Sequence, residues 1–270
     1  MRNENLEKMR TNSLRAAQLK MLGILEEIDA LCKAHGLTYW IEGGTLLGAM
    51  RHGGFIPWDD DLDISMLRAD YERFLEIAPE HLSPHLFLQT RKSDPSFHHL
   101  ECKVRDLNSY IADGDDDNAA PYQKGLFVDV FPYDDAPARF HKQLGRVARG
   151  ITVATVNICG LHHYSWRTLS RLLYFSVKLP VLKAVWRLGC SLWADGNHLA
   201  IDPHFSWCRA IHRKQNIFPL SEVEFEGRRF PAPSQPDAYL TTLYGDWRQL
   251  PPVEKRQIHS MLILPELIPS

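Results

Sequence analysis

Nowhere in the 270 residues is there a run of about twenty uncharged apolar positions, which excludes an ordinary membrane-spanning helix. The start, Met1-Arg2-Asn3-Glu4-Asn5, lacks the apolar stretch of a secretion signal, so a cytoplasmic location is the expectation. Cysteine is scarce. Cys32, Cys102, Cys159, Cys190 and Cys208 are odd in number and far apart, with no Cys-x-x-Cys pair. That excludes a disulfide framework or a zinc ribbon and leaves them as reduced core thiols. No internal repeat and no low-complexity linker occurs. Acid is missing altogether from Ala136 to Ala194, where Arg139, Lys142, Arg146, Arg149, Arg167, Arg171, Lys178, Lys183 and Arg187 stand. The remaining chain holds 22 basic against 33 acidic residues, so the middle segment is the part suited to an anionic partner. A net charge of −2 argues against nucleic acid as a partner of the whole.

What is present suits one domain with elaborations, large enough to bury a full core. Leu19, Leu22, Leu25, Ile28 and Cys32 recur at helical spacing, predicting a helix over 13–35 stopped by Gly36. A strand is expected at Leu37–Ile41. The glycine turn Gly43-Gly44 should then lead into a short helix capped by Thr45. Further expectations are a helix over 69–77 and strands over 86–90, 101–105, 109–112 and 126–131. The reading is an α/β fold of the α+β kind, with a core over 13–135. A helical segment over 136–220, broken at Pro180, should pack on that core, and a proline-rich C-terminal segment covers 221–270.

The densest chemistry lies in Ile56-Pro57-Trp58-Asp59-Asp60-Asp61-Leu62-Asp63-Ile64-Ser65, four carboxylates in five positions within an apolar frame. Alternation of Asp61, Leu62, Asp63 and Ile64 predicts a strand with both acids on one face. Two hard oxygen ligands there suit Mg²⁺ or Mn²⁺ and phosphate chemistry. The alternative is a solvated acidic turn. Phe127-Val128-Asp129-Val130-Phe131 sets one more acid among four apolar residues, where it needs a charged partner. Either the cation of Asp61 and Asp63 supplies that partner, or a salt bridge to Lys103 or Arg105 does. Upstream, backbone N–H groups of Gly43-Gly44-Thr45 can approach a phosphate.

Three segments carry a resemblance. Gly43-Gly44-Thr45-Leu46-Leu47-Gly48-Ala49-Met50-Arg51-His52, Gly54-Phe55-Ile56-Pro57-Trp58-Asp59-Asp60-Asp61-Leu62-Asp63-Ile64 and Gly125-Leu126-Phe127-Val128-Asp129-Val130-Phe131-Pro132 closely resemble the LicD family, which includes fukutin-related proteins. Tyr244-Gly245-Asp246-Trp247 and Pro251-Pro252 are similar to it too. The resemblance implies a nucleotidyltransferase-like mixed sheet flanked by helices. It also implies an enzyme that moves a phosphorylated alcohol, such as phosphocholine or a polyol phosphate, from a CDP-linked donor to a glycan hydroxyl. On that basis Asp61, Asp63 and Asp129 would hold Mg²⁺ or Mn²⁺, and Gly43, Gly44 and Thr45 would face the donor diphosphate. Asp129 or Asp59 would accept the hydroxyl proton. Arg51, His52, Lys103 and Arg105 are candidate phosphate contacts, each equally suited to an ordinary ion pair.

Weaker signals are set lower. Asp113-Gly114-Asp115-Asp116-Asp117-Asn118 lacks the glycine and closing glutamate of a calcium loop and is read as solvated. His204, Cys208 and His212 share a helical stripe without a fourth zinc ligand. His162-His163 is a surface pair, and Trp247 with Tyr244 is either core or a stacking platform. The basic, apolar middle segment suits either a helix on an anionic membrane, at its inner face, or helices packed on the core. Two rival functions remain open: a nucleotidyltransferase that releases pyrophosphate from an NTP, and a non-catalytic nucleotide-binding module.

Overall fold

The computed structural model describes residues 4–97, 102–113, 120–136, 141–159, 165–201 and 210–267. They form two compact units, residues 1–132 with 219–270, and residues 133–218. The first begins with α1 (Glu4–His35), β1 (Tyr39–Ile41), α2 (Gly43–His52), β2 (Asp63–Leu67) and α3 (Arg68–His81). Strands β3 (Leu86–Gln89), β4 (Cys102–Asp106), β5 (Tyr110–Asp113) and β6 (Phe127–Asp135) follow.

The main sheet of this unit runs β1-β2-β6-β4-β3. Its middle is dry. Every residue of β4 is buried, as are Phe127 to Tyr133 of β6. In β4 and β6 an apolar residue alternates with one that carries charge or an aromatic ring, so one face makes core while the other can hold chemistry. Antiparallel register sets Lys103 opposite Asp129 and Arg105 opposite Phe127. Helix α1 buries Ala17, Met21, Ile24, Leu25 and Ile28, a stripe at three- and four-residue spacing.

The second unit holds α4 (His141–Cys159), α5 (Trp166–Trp193), β7 (His198–Ile201), β8 (His212–Arg213) and the short α6 (Lys214–Ile217). Tyr133, Asp134 and Asp135 pair with Ile201, Ala200 and Leu199 of β7. Ser165 caps α5, its hydroxyl accepting the Thr168 N–H at 3.1 Å.

The chain then returns to the first unit as the hairpin β9 (Ser221–Phe225) and β10 (Arg228–Ala232), helix α7 (Pro236–Tyr244), a 3₁₀ turn at Val253–Lys255 and β11 (Ser260–Leu264). Strand β11 pairs with β5 and packs against α1. Lys20 of α1 fastens this end, its Nζ donating to the Pro265 carbonyl at 2.8 Å and lying 3.2 Å from Asp106.

Several boundaries differ from the sequence reading, each for a physical reason. Helix α1 starts at Glu4 because residues 4–12 are mostly good helix formers even without a recurring apolar stripe. Pro180 does not break α5, which runs through it. Proline removes one backbone donor, and packing along the rest of a long helix outweighs that. The helical pattern ends at Trp193, after which β7 and β8 are extended. His212 therefore lies on a strand, where burial pushes its imidazole down to about 3. His204, Cys208, His162, His163 and the 114–118 acids lie outside the described residues. The proline-rich tail is ordered into two strands, a helix and the edge strand β11. Among the described residues, no helix is long and apolar enough to cross a membrane. Cys32 and Cys102 are buried, with burial raising the Cys32 thiol to about 12.

Candidate active site

All the candidate acids lie in the first unit. The segment before β2 turns in at the start of α2, and one backbone bond brings β6 to it: Asp129 N–H donates to the Leu62 carbonyl at 2.8 Å. Leu62 stands between Asp61 and Asp63, and the charge of Asp129 acts on Asp63. Strand β2 begins only at Asp63, which leaves Asp59, Asp60 and Asp61 on the loop that enters it. Asp61 therefore precedes the strand and Asp63 opens it.

Helix α2 presents its first turn to this group. Its N-cap is Glu42, whose carbonyl accepts the Leu46 N–H at 3.0 Å; Thr45, expected as the cap, lies inside the helix. The Thr45 hydroxyl accepts the Asp63 N–H at 2.9 Å and so pins strand to helix. Gly43 has φ +49°, and a Cβ on it would lie 3.2 Å from Asp63 Oδ2 and 3.6 Å from the Tyr244 hydroxyl. A Cβ on Gly44 would come within 2.9 Å of Asp59 Oδ2. Both glycines therefore exist to let carboxylates reach the positive end of the helix. Gly44→Ala should spare the fold, since only a side-chain tip is in the way, and should shift Asp59. Turnover is expected to fall about a hundredfold with the melting temperature within about 2 °C of wild type.

Crowding shapes the electrostatics. Desolvation first, then the charges of Asp61 and Asp60, hold the Asp59 carboxyl well above its ordinary range, with Arg51 opposing. Asp63 is raised well above it too, by desolvation and then by Asp61, Asp129, Asp59 and Glu42. Burial and Asp60 raise Asp61, against the pull of Lys103 and His259. Charge of one sign is thus being concentrated in a dry place.

Lys103 answers part of it. Its Nζ donates to both oxygens of Asp129, at 2.6 and 2.8 Å, and sits 3.8 Å from the centre of the Phe127 ring. This is the salt bridge weighed against metal binding for Asp129, and the register selects Lys103 for it. Arg105 is committed elsewhere, donating from Nε to Gln89 and from NH1 to the Gly125 carbonyl at 2.7 Å. Arg51 donates to the Trp247 carbonyl at 3.1 Å, joining α2 to the segment after α7. His52 is exposed, edge-on to Trp58 at 6.2 Å, and burial with Arg51 lowers its imidazole.

Two acids essential to this arrangement were not singled out from sequence. Glu42 is fully buried, accepting from Ser65 Oγ at 3.2 Å, from the Trp40 indole at 3.3 Å and from the Tyr239 hydroxyl. Its signal was an acid directly between the apolar Tyr39-Trp40-Ile41 and the glycine turn. Asp60 accepts from Ser260 N–H at 2.6 Å, from the Ser260 hydroxyl and from His259 N–H at 3.3 Å. Nothing local in the sequence marks that role.

For a divalent ion the donor set has the right chemistry, all hard carboxylate oxygen whose mutual repulsion a cation would relieve. Among the described residues, however, no three Asp, Glu, His or Cys side chains already surround one point as a cage. Both Asp129 oxygens are taken by Lys103.

A mixed α/β sheet with crowded carboxylates against a glycine-led helix start suits phosphate chemistry. Residues 36–146 match the family model described as LicD/FKTN/FKRP, nucleotidyltransferase domain. The lipopolysaccharide cholinephosphotransferase LicD of Haemophilus influenzae is 29% identical over 272 residues, covering 93% of this chain and 97% of that protein. The ribitol 5-phosphate transferase FKRP of Mus musculus, and that of Homo sapiens, are each 45% identical over 58 residues, 22% of this chain and 10% of theirs. The chain is a phosphotransferase enzyme. It resembles the LicD family through residues 36–146 and, along nearly its whole length, through the Haemophilus protein.

Proposed function

We propose that this enzyme transfers a phosphorylated alcohol, phosphocholine-like or a polyol phosphate, from a CDP-linked donor to a glycan hydroxyl and releases CMP. The observation that carries this reading is the placement of Asp59 and Asp63 against the first turn of α2, with the charges of Asp61 and Asp129 acting on Asp63, within a chain similar along nearly its whole length to a cholinephosphotransferase. Asp61 and Asp63, with Asp129 beside them, would hold Mg²⁺ or Mn²⁺. Such an ion supplies charge neutralisation at the transferring phosphate and its leaving group.

The chain's own residues do the remainder. The Gly43, Gly44 and Thr45 N–H groups, free of side-chain bulk at the two glycines, face the donor diphosphate. Asp59 is the better general base of the two candidates. Burial and neighbouring acids raise its affinity for a proton toward working pH, whereas both oxygens of Asp129 are engaged by an ammonium. Arg51, tied to the Trp247 carbonyl and lying near Asp59, is placed to meet donor phosphate oxygens.

The test is product analysis. Purified protein is incubated with Mg²⁺ or Mn²⁺, a panel of CDP-alcohols or NTPs, and glycan acceptors, and CMP and pyrophosphate are measured. CMP release from one CDP-alcohol, dependent on acceptor, is expected, and chelation by EDTA should lower it about a thousandfold, reversibly. Pyrophosphate release from an NTP in place of CMP would reassign the enzyme to nucleotidyl transfer, and rates indifferent to EDTA would remove the metal.

A further inference from the structure

In the second unit, α5 is apolar on two opposite faces. One packs on α4: Phe175 and Gly189 are buried there, and Leu182 lies so near Gly150 that a Cβ on that glycine would meet its Cδ1 at 2.8 Å. The other face is uncovered. Leu169, Leu173, Val177, Val181, Val185 and Leu188 recur every three or four residues along it, with Leu173 61% and Val177 68% exposed. Trp166 at one end is 85% exposed, and Leu192 extends the stripe at the other. At the helical rise this makes an apolar strip roughly 40 Å long, far more than an ordinary surface leaves in water.

Its borders are cationic. On helical geometry Arg167, Arg171 and Lys178 run along one side of the strip, and Lys183 and Arg187 along the other. No Asp or Glu occurs from Ala136 to Ala194 to balance them. We infer that this face of α5 lies in the headgroup layer of an anionic phospholipid bilayer, its apolar strip in the acyl boundary and its basic borders among lipid phosphates. Charge decides the occupant. A second copy would set five cations against the same five with no acid on either α5, and a neutral apolar partner would leave them unpaired. The helix rests on the bilayer and does not cross it, since no helix among the described residues is apolar enough to span one. This inference does not rest on the reaction proposed above.

The test uses full-length protein and vesicle flotation. At low salt the protein should float with vesicles of phosphatidylcholine containing about a third phosphatidylglycerol, and stay behind with phosphatidylcholine alone. Trp166 emission should shift to the blue on binding. Leu173→Glu/Val177→Glu, at exposed positions and with an unchanged melting curve, should abolish flotation. Lys183→Gln/Arg187→Gln should lower the partition coefficient about thirtyfold. No flotation on anionic vesicles, or undiminished flotation of Leu173→Glu/Val177→Glu, overturns the proposal. So does a dimer in vesicle-free solution that the same variant dissolves, which would make the strip a self-interface. Binding to polyglutamate as tight as to vesicles would reassign it to an acidic polypeptide.

Discussion

Asp63→Asn is expected to lose at least about a thousandfold in turnover while the metal-free protein becomes more stable, by about 2–4 °C in melting temperature. The two signs have one origin. Asp63 is buried and surrounded by the charges of Asp61, Asp129, Asp59 and Glu42, so its ionisation opposes folding. Asparagine keeps the shape and removes the charge, and about 1 kcal/mol of repulsion and desolvation disappears with it. The same charge is what a divalent ion would bind. Magnesium should therefore raise the melting temperature of the wild type and leave Asp63→Asn almost unmoved. Thermal melts with and without Mg²⁺, beside turnover, check both halves. A variant that melts well below wild type would make Asp63 a structural acid, and one that keeps its rate would remove the site.

The second large effect concerns Lys103. Lys103→Met leaves Asp129 buried among other acids without its ammonium, and such a loss costs about 3–5 kcal/mol, or a melting temperature lower by about 10 °C or more. Replacing both partners, as Lys103→Met/Asp129→Leu, should recover most of that, because no charge is then stranded. Magnesium separates the two roles of Asp129. If it is a ligand as well as a salt-bridge partner, the ion should restore part of the stability of Lys103→Met and none to the double variant. An unrescued Lys103→Met would assign Asp129 to the sheet alone. Chemical denaturation at several Mg²⁺ concentrations measures this directly.

How far the sequence could be read follows from which interactions are local. The apolar frames of β2 and β6 and the acids within them were legible, because a carboxylate between core residues must have a partner. That Lys103 is the partner of Asp129 was not, since Lys103 and Arg105 share a strand face and only the β4–β6 register tells them apart. Equally hidden was the bond from Asp129 N–H to the Leu62 carbonyl, which joins segments more than sixty residues apart. The α2 cap was misread for a local reason. Thr45 is a good capping residue, yet Glu42 takes that place and leaves the Thr45 hydroxyl to β2. In α5 the prolyl ring is a strong signal for a break, and the length of packing on α4 overrode it.

Asp60 sits between Asp59 and Asp61, yet its carboxylate is fastened two hundred residues away, to Ser260 at the start of β11. During synthesis the four clustered acids leave the ribosome two hundred residues ahead of the backbone that clamps their loop. A nascent chain therefore displays the acids without the clamp on their loop until Ser260 has emerged.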